Sequence, residues 1–217
     1  MSTASSLLSV ALEILGGLLA PPCCAACDAP VGRLAAFCAT CASTIERPPE
    51  LDGDATAAFV YGGAVARAII RLKYERRPDL ARPLGDLLWR ALEPRRPDLR
   101  EVVIVPVPLH AARLAERGFN QSALVARRIA RQLGASLAPL ALARARDTPR
   151  QAILDREARL ANVAGAFRAR QPQLVRDRRV LLVDDVRTTG ATLEACARTL
   201  LEAGARAVQT AVVASAT

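Results

Sequence analysis

Apolar residues recur along this chain in two rhythms, and the rhythm changes near residue 100. Before that point the spacing is helical: Leu7, Leu8, Ala11, Ile14, Leu15 and Leu18 share one face, and Leu84, Leu87, Leu88 and Leu92 share another. Recurrence at every third and fourth position marks an amphipathic helix. The pattern predicts a docking helix near the start, a strand at "TAAFV" closed by Gly62 and Gly63, and a helix over "AVARAIIRLKYERR". A further helix is expected over "DLARPLGDLLWRAL", with Asp79 as its N-cap.

From residue 101 the rhythm becomes strand, loop, helix. "EVVIVPVPL" and "RRVLLVDD" are continuous apolar runs rich in β-branched residues, "ASLAPLALA" reads as a strand, and "ARAVQTAVVAS" reads as the last one. Between them "NQSALVARRIARQLG", ending on Gly134, and "GATLEACARTLLEAGA" read as helices. Buried strands alternating with helices predict an α/β fold with a mostly parallel sheet flanked by helices. Such sheets bind ligands at the carboxyl ends of their strands. Asp184 and Asp185 stand at one of those ends.

Composition narrows the class. With 52% hydrophobic and 24% charged residues in 217, the chain can bury a core, but its 3% aromatic content leaves little for base-stacking platforms. The net charge of +9 is unevenly spread, with 12 basic and 11 acidic residues up to position 100 and 18 against 10 beyond it. A phosphate-rich small ligand satisfies that excess as well as a nucleic acid does. The apolar N-terminal run has no basic leader, carries Glu13 and is too short to span a bilayer, so the expectation is a cytoplasmic protein without membrane insertion.

Five of the six cysteines lie between Cys23 and Cys41. Cys24 and Cys27 form one Cys-x-x-Cys pair and Cys38 and Cys41 another, with ten residues between them. Two close pairs of thiolates suit a tetrahedral structural zinc site, with Cys23 an alternative first ligand. Prolines 48 and 49 followed by "ELDGD" read as a linker, which divides the chain into a helix plus four-cysteine zinc-binding subdomain over residues 1–50 and a larger domain over 51–217.

The stretch "VDDVRTTGAT" carries the chemistry. Thr188, Thr189 and Thr192 surround Gly190 at the start of a predicted helix, where free amides and the helix dipole favour an anion. Asp184 and Asp185 just upstream can accept hydrogen bonds from vicinal hydroxyls. A phosphate at one end and a diol at the other describe a ribose 5-phosphate. Neither a Walker loop nor a G-x-G-x-x-G turn is present, which removes support for nucleoside triphosphate and dinucleotide readings.

This stretch resembles the signature of type I phosphoribosyltransferases. Together with the paired Cys-x-x-Cys, "LKY" at residues 72–74, "VPVPLH" at 105–110, "RGFNQ" at 117–121 and "RQAILDREARLANVAGAF" from Arg150, the chain resembles the ComF family, the competence protein F and GntX-like phosphoribosyltransferases. The resemblance implies a type I phosphoribosyltransferase-like sheet that binds phosphoribosyl pyrophosphate with Mg²⁺. It implies ribose hydroxyls on Asp184 and Asp185, and the 5-phosphate on Val186, Arg187, Thr188, Thr189, Gly190, Ala191 and Thr192. Candidates for the pyrophosphate are Lys73, His110, Arg113, Arg117, Asn120 and Gln121, joined by Gln151, Arg159 and Asn162 from a basic hood segment. The acceptor is unidentified. The alternative is a non-catalytic DNA-uptake or recombination factor that binds ligand, DNA or the uptake machinery through the same fold.

Overall fold

The apolar run Val180 to Val183 becomes the middle strand of a five-stranded sheet. The computed structural model describes residues 22–48, 55–94, 99, 101–146 and 165–216. The expected N-terminal helix, and Gln151, Arg159 and Asn162 of the hood, lie outside the described residues. Within them the order is α1 (Ala39–Ala42), β1 (Ala55–Val60), α2 (Gly63–Tyr74), α3 (Ala81–Leu92), β2 (Val103–Pro106), α4 (Ala111–Arg117) and α5 (Gln121–Leu133). There follow β3 (Ser136–Leu137), β4 (Leu142–Arg144), β5 (Phe167–Ala169), β6 (Arg179–Arg187), α6 (Ala191–Glu202) and β7 (Ala207–Ser215).

The sheet runs β1-β7-β6-β2-β3 and every pairing in it is parallel. Parallel neighbours need crossover helices, and these cover both faces. Leu181 and Val183 pack among α2, α3 and α5, in a core that includes Ile69, Leu72, Leu84, Leu88 and Ile129. Val180 and Leu182 point the other way, against Leu193, Cys196 and Leu200 of α6. From Val180 to Val183, alternation along β6 therefore sends odd positions to one layer and even positions to the other. The mostly parallel sheet flanked by helices is the architecture that the strand and helix rhythm predicts.

Three local expectations change. "ASLAPLALA" is not one strand. Pro139 lacks an N–H for a ladder, and the chain turns there, so that β3 pairs with β2 while β4 pairs antiparallel with β5 in a separate ribbon. Asp79 does not cap α3: a short 3₁₀ turn over Pro78–Leu80 precedes the helix, and the Asp79 carboxylate accepts instead from Arg77 at 2.8 Å. The connection after β2, expected as loop, contains α4, which ends on Gly118 in the left-handed region at φ 84°. On the second predicted helix, Leu84, Leu88 and Leu92 are buried as expected, and Leu87 is half-buried.

Residues 22–48 wrap against the start of α2. The Thr44 hydroxyl donates to the Cys41 carbonyl at 2.8 Å and accepts from the Ala64 N–H at 3.0 Å. Gly63 lies at φ 48°, and a Cβ there would stand 2.4 Å from the Thr44 carbonyl oxygen, so this close approach requires glycine. Among the described residues no helix is long and apolar enough to cross a membrane.

Candidate functional site

The acidic pair sits where β6 leaves the sheet. Asp184 and Asp185 are 8% and 3% exposed. Asp185 faces α2, and its Oδ2 lies 2.5 Å from the Lys73 ammonium. Asp184 Oδ1 accepts from the Ser122 hydroxyl at 2.6 Å and from the Asp185 N–H at 2.9 Å. Burial and the Asp185 charge push the Asp184 carboxyl up to about 7, against the opposing pull of Ser122 and Lys73. Even with Lys73 present, the neighbouring Asp185 charge resists ionisation of Asp184. That is the electrostatic setting in which a dication bound with an anionic ligand would be favoured.

The loop after β2 closes the same crevice. Asn120 caps α5: its Oδ1 accepts from the Ser122 and Ala123 N–H groups at 3.0 and 3.4 Å, while its Nδ2 donates to the Val107 carbonyl at 3.0 Å. That cap brings Ser122 to Asp184. Arg117 donates to the Gln121 side-chain oxygen and lies 5.5 Å from the centre of the Tyr74 ring. Lys73, Tyr74, Arg117, Asn120, Gln121, Ser122, Asp184 and Asp185 thus form one set drawn from α2, the α4–α5 segment and β6. His110 works as a helix cap, its Nδ1 accepting from the Ala112 N–H at 3.4 Å, and Arg113 is half-buried on the first turn of α4.

Beyond the pair, Val186 is half-buried beside the core, Arg187 is half-buried, Thr188 is exposed, and Thr189 and Thr192 are half-buried. Gly190 is the N-cap of the twelve-residue α6, at φ 85°, and no side chain caps the helix. A Cβ on Gly190 would lie 3.3 Å from Arg187 Nε. The N-cap thus offers no side-chain acceptor to the first-turn amides, from Ala191 on, and a helix start of this kind favours an anion. Sequence reading missed Ser122 and Tyr74. The signal for Ser122 was its place two residues after an asparagine able to cap a helix; Tyr74 was inside the "LKY" motif but had no chemistry assigned to it.

The cysteines make a second centre. The Sγ atoms of Cys24, Cys27, Cys38 and Cys41 all lie within 4.8 Å of one another, and those of Cys27 and Cys38 are 3.7 Å apart. A tetrahedral ion with Zn–S bonds of about 2.3 Å sets its sulfurs about 3.8 Å apart, so the cluster has the size for zinc. Burial raises the Cys24 thiol, but hydrogen bonds from the backbone of Cys38, Ala26 and Cys27 outweigh it and bring the group down to about 6. Cys41 is pushed up to about 12 by burial and by the neighbouring sulfurs. Four thiolates cannot ionise side by side without a cation among them. Cys23 is exposed and outside the cluster, which leaves the first ligand position to Cys24.

Residues 120–217 match the phosphoribosyl transferase domain family. The chain is 35% identical to DNA utilization protein YhgH of Escherichia coli K12 over 189 residues, covering 86% of this chain and 81% of that one. It is 34% identical to the protein of the same name from Salmonella typhi, with the same coverage. Competence protein F of Haemophilus influenzae is 29% identical over 192 residues, covering 87% and 82% of the two chains.

Proposed function

The chain belongs to the ComF family, the family of DNA utilization protein YhgH and competence protein F built on a phosphoribosyl transferase domain, and from that premise we propose that it binds phosphoribosyl pyrophosphate and transfers its phosphoribosyl group. One observation carries the reading: a buried acidic pair, held by Lys73 and Ser122, stands beside the uncapped N-terminus of α6 at a strand end. Asp184 and Asp185 accept hydrogen bonds from the ribose hydroxyls, and the amides from Gly190 to Thr192, with the threonine hydroxyls, hold the 5-phosphate. Lys73, ion-paired with Asp185, orients that carboxylate and adds positive charge to the crevice.

In this reaction the C1–oxygen bond to pyrophosphate breaks through an oxocarbenium-like state, and a bond from C1 to the acceptor forms on the opposite face. Magnesium, when bound with the oxygens of the donor, supplies positive charge against the departing pyrophosphate. Arg117 stands beside the same crevice to add to that neutralisation, and Gln151, Arg159 and Asn162 are assigned to the hood that excludes water. The four-cysteine cluster holds structural zinc, and the protein works in the cytoplasm.

Titration calorimetry with phosphoribosyl pyrophosphate and Mg²⁺ tests the reading. Saturable binding is expected, and replacing both Asp184 and Asp185 by Ala should weaken it by about tenfold or more, about 1.4 kcal/mol, with the fold retained. Undetectable binding at about millimolar ligand would remove the premise. A second reading keeps the fold as a ligand-sensing or nucleic-acid-binding scaffold without turnover, and the basic second half of the chain and the names of its relatives favour it. Pyrophosphate release in the presence of metabolite pools selects the enzyme, whereas a salt-dependent gel shift without turnover selects the scaffold.

A further inference from the structure

Helix α2 is fastened to the segment that carries the clustered cysteines at its first turn, at Arg67 and at Arg71. At its first turn the Ala64 N–H donates to Thr44. One turn on, Arg67 Nη2 reaches the Cys41 sulfur at 3.7 Å. Near its end Arg71, 8% exposed, donates to the Ala25 carbonyl at 3.1 Å, to the Asp28 carboxylate, and to Glu75 Oε2 at 3.0 Å. Arg77 holds the other Asp28 oxygen at 3.1 Å. Ala25 directly follows Cys24 and Asp28 directly follows Cys27, so the Arg71 guanidinium grips the chain immediately after two of the four clustered cysteines.

Positions 64, 67 and 71 share a helical stripe. Lys73 is two residues beyond Arg71, about 200° round the helix, and it leaves the opposite side toward Asp185. Val65, Ala68, Ile69 and Leu72 bury α2 in the main core, while contacts on its cysteine-facing side constrain the rotation and height at which Lys73 is presented. A buried guanidinium with three acceptors is also a costly group to place unless its geometry matters, because each acceptor lost leaves charge unsolvated.

We propose that Arg71 is a positioning residue that couples the four-cysteine centre to the acidic pair: by gripping the residues after Cys24 and Cys27 it constrains the rotation and height of α2, and so seats Lys73 on Asp185, an inference that rests on Asp185 being a ligand of the sugar. Metal occupancy of the cluster then changes affinity for the donor through α2, with no contact between the metal and the donor.

Lys73 is the sole lysine of the chain, so its reactivity can be read in isolation. Zinc-loaded protein is acetylated with an activated ester, and the peptide carrying Lys73 is quantified by mass spectrometry. The seated, ion-paired ammonium of the unsubstituted chain should react slowly. Arg71→Met should raise the rate about fivefold or more with zinc content unchanged, and Arg71→Lys should restore part of the protection. An unchanged rate in R71M that keeps its zinc would overturn the proposal; if R71M does not fold, Asp28→Asn decides on the same readout. Calorimetry supplies the second arm: R71M should weaken donor binding in the unsubstituted chain but add no further loss to Lys73→Met, and additive losses would count against the coupling. Should the unsubstituted protein bind no phosphoribosyl pyrophosphate, the functional reading fails, while the acetylation rates still decide whether Arg71 seats Lys73.

Discussion

Asp184 and Asp185 are consecutive in the chain, yet they meet different partners, one at the start of α5 and the other near the end of α2. Asp185 gains a lysine, and Asp184 gains a hydroxyl and an amide. Asp184 is thereby left with a carboxyl raised to about 7, well above its value in an unfolded chain. Between roughly pH 4 and 7 the folded protein binds this proton more tightly than the unfolded one, so its contribution favours folding in acid and fades as the pH rises through 7. Asp184→Asn abolishes that titration. Urea unfolding at about pH 5 and pH 8 should show the unsubstituted chain losing at least about 1 kcal/mol more stability than D184N over the interval; equal losses would place the Asp184 carboxyl in the ordinary range.

Short segments do most of the positioning work. The cap made by Asn120 orients the first turn of α5, and through Ser122 that turn reaches Asp184. At the start of α6, Gly190 occupies a left-handed conformation with little room behind it, since an added Cβ meets Arg187 at 3.3 Å. Gly190→Ala should cost about 1–2 kcal/mol in thermal or urea unfolding from backbone strain alone. It should also weaken phosphoribosyl pyrophosphate binding beyond any effect of Arg187→Ala, which calorimetry would measure. A fully stable G190A would mean that the turn can adopt another course. Elements of this kind were legible in the sequence wherever a run was long and periodic, as in β6, β7, α2, α5 and α6. They were misread where one proline split a run, at β3 and β4, and where an ion pair with Arg77 took the Asp79 carboxylate away from the helix it was expected to cap.

Taken as a whole, the molecule has a large layered core and a small satellite of Cys24, Ala26, Cys41 and Ala64 around the sulfurs. Residues 22–48 also lean on the main core through Ala25, Phe37 and Ile45, and metal binding at the sulfurs would add to the folding free energy of this segment. Protein purified without chelators should carry about one zinc per chain, Cys24→Ser should lose it, and Cys23→Ser should keep it, as metal analysis will tell. Stripping the metal should lower the melting temperature, and added zinc should raise it in a concentration-dependent way. A melting temperature indifferent to chelator would show that the satellite folds without metal.

Periodicity, residue type and short spacing are local properties, and they determined much of this protein in advance: the parallel sheet with helices on both faces, the acidic pair at a strand end, the glycine turn into a helix at Gly190 and the two cysteine pairs. What they could not supply was which distant groups meet. Cys24 rather than Cys23 joins the cluster because Cys23 is drawn into a bridge with Pro30 and left exposed, while Cys24 is buried. Lys73 faces Asp185, rather than standing as a solvated lysine at a helix end, because the apolar face of α2 packs into the core beside β6. Ser122 belongs to the site only because α5 begins where β6 ends. Each of these depends on the packing of elements far apart in the chain, where the energy lies between residues whose separation in sequence carries no information about their distance in space.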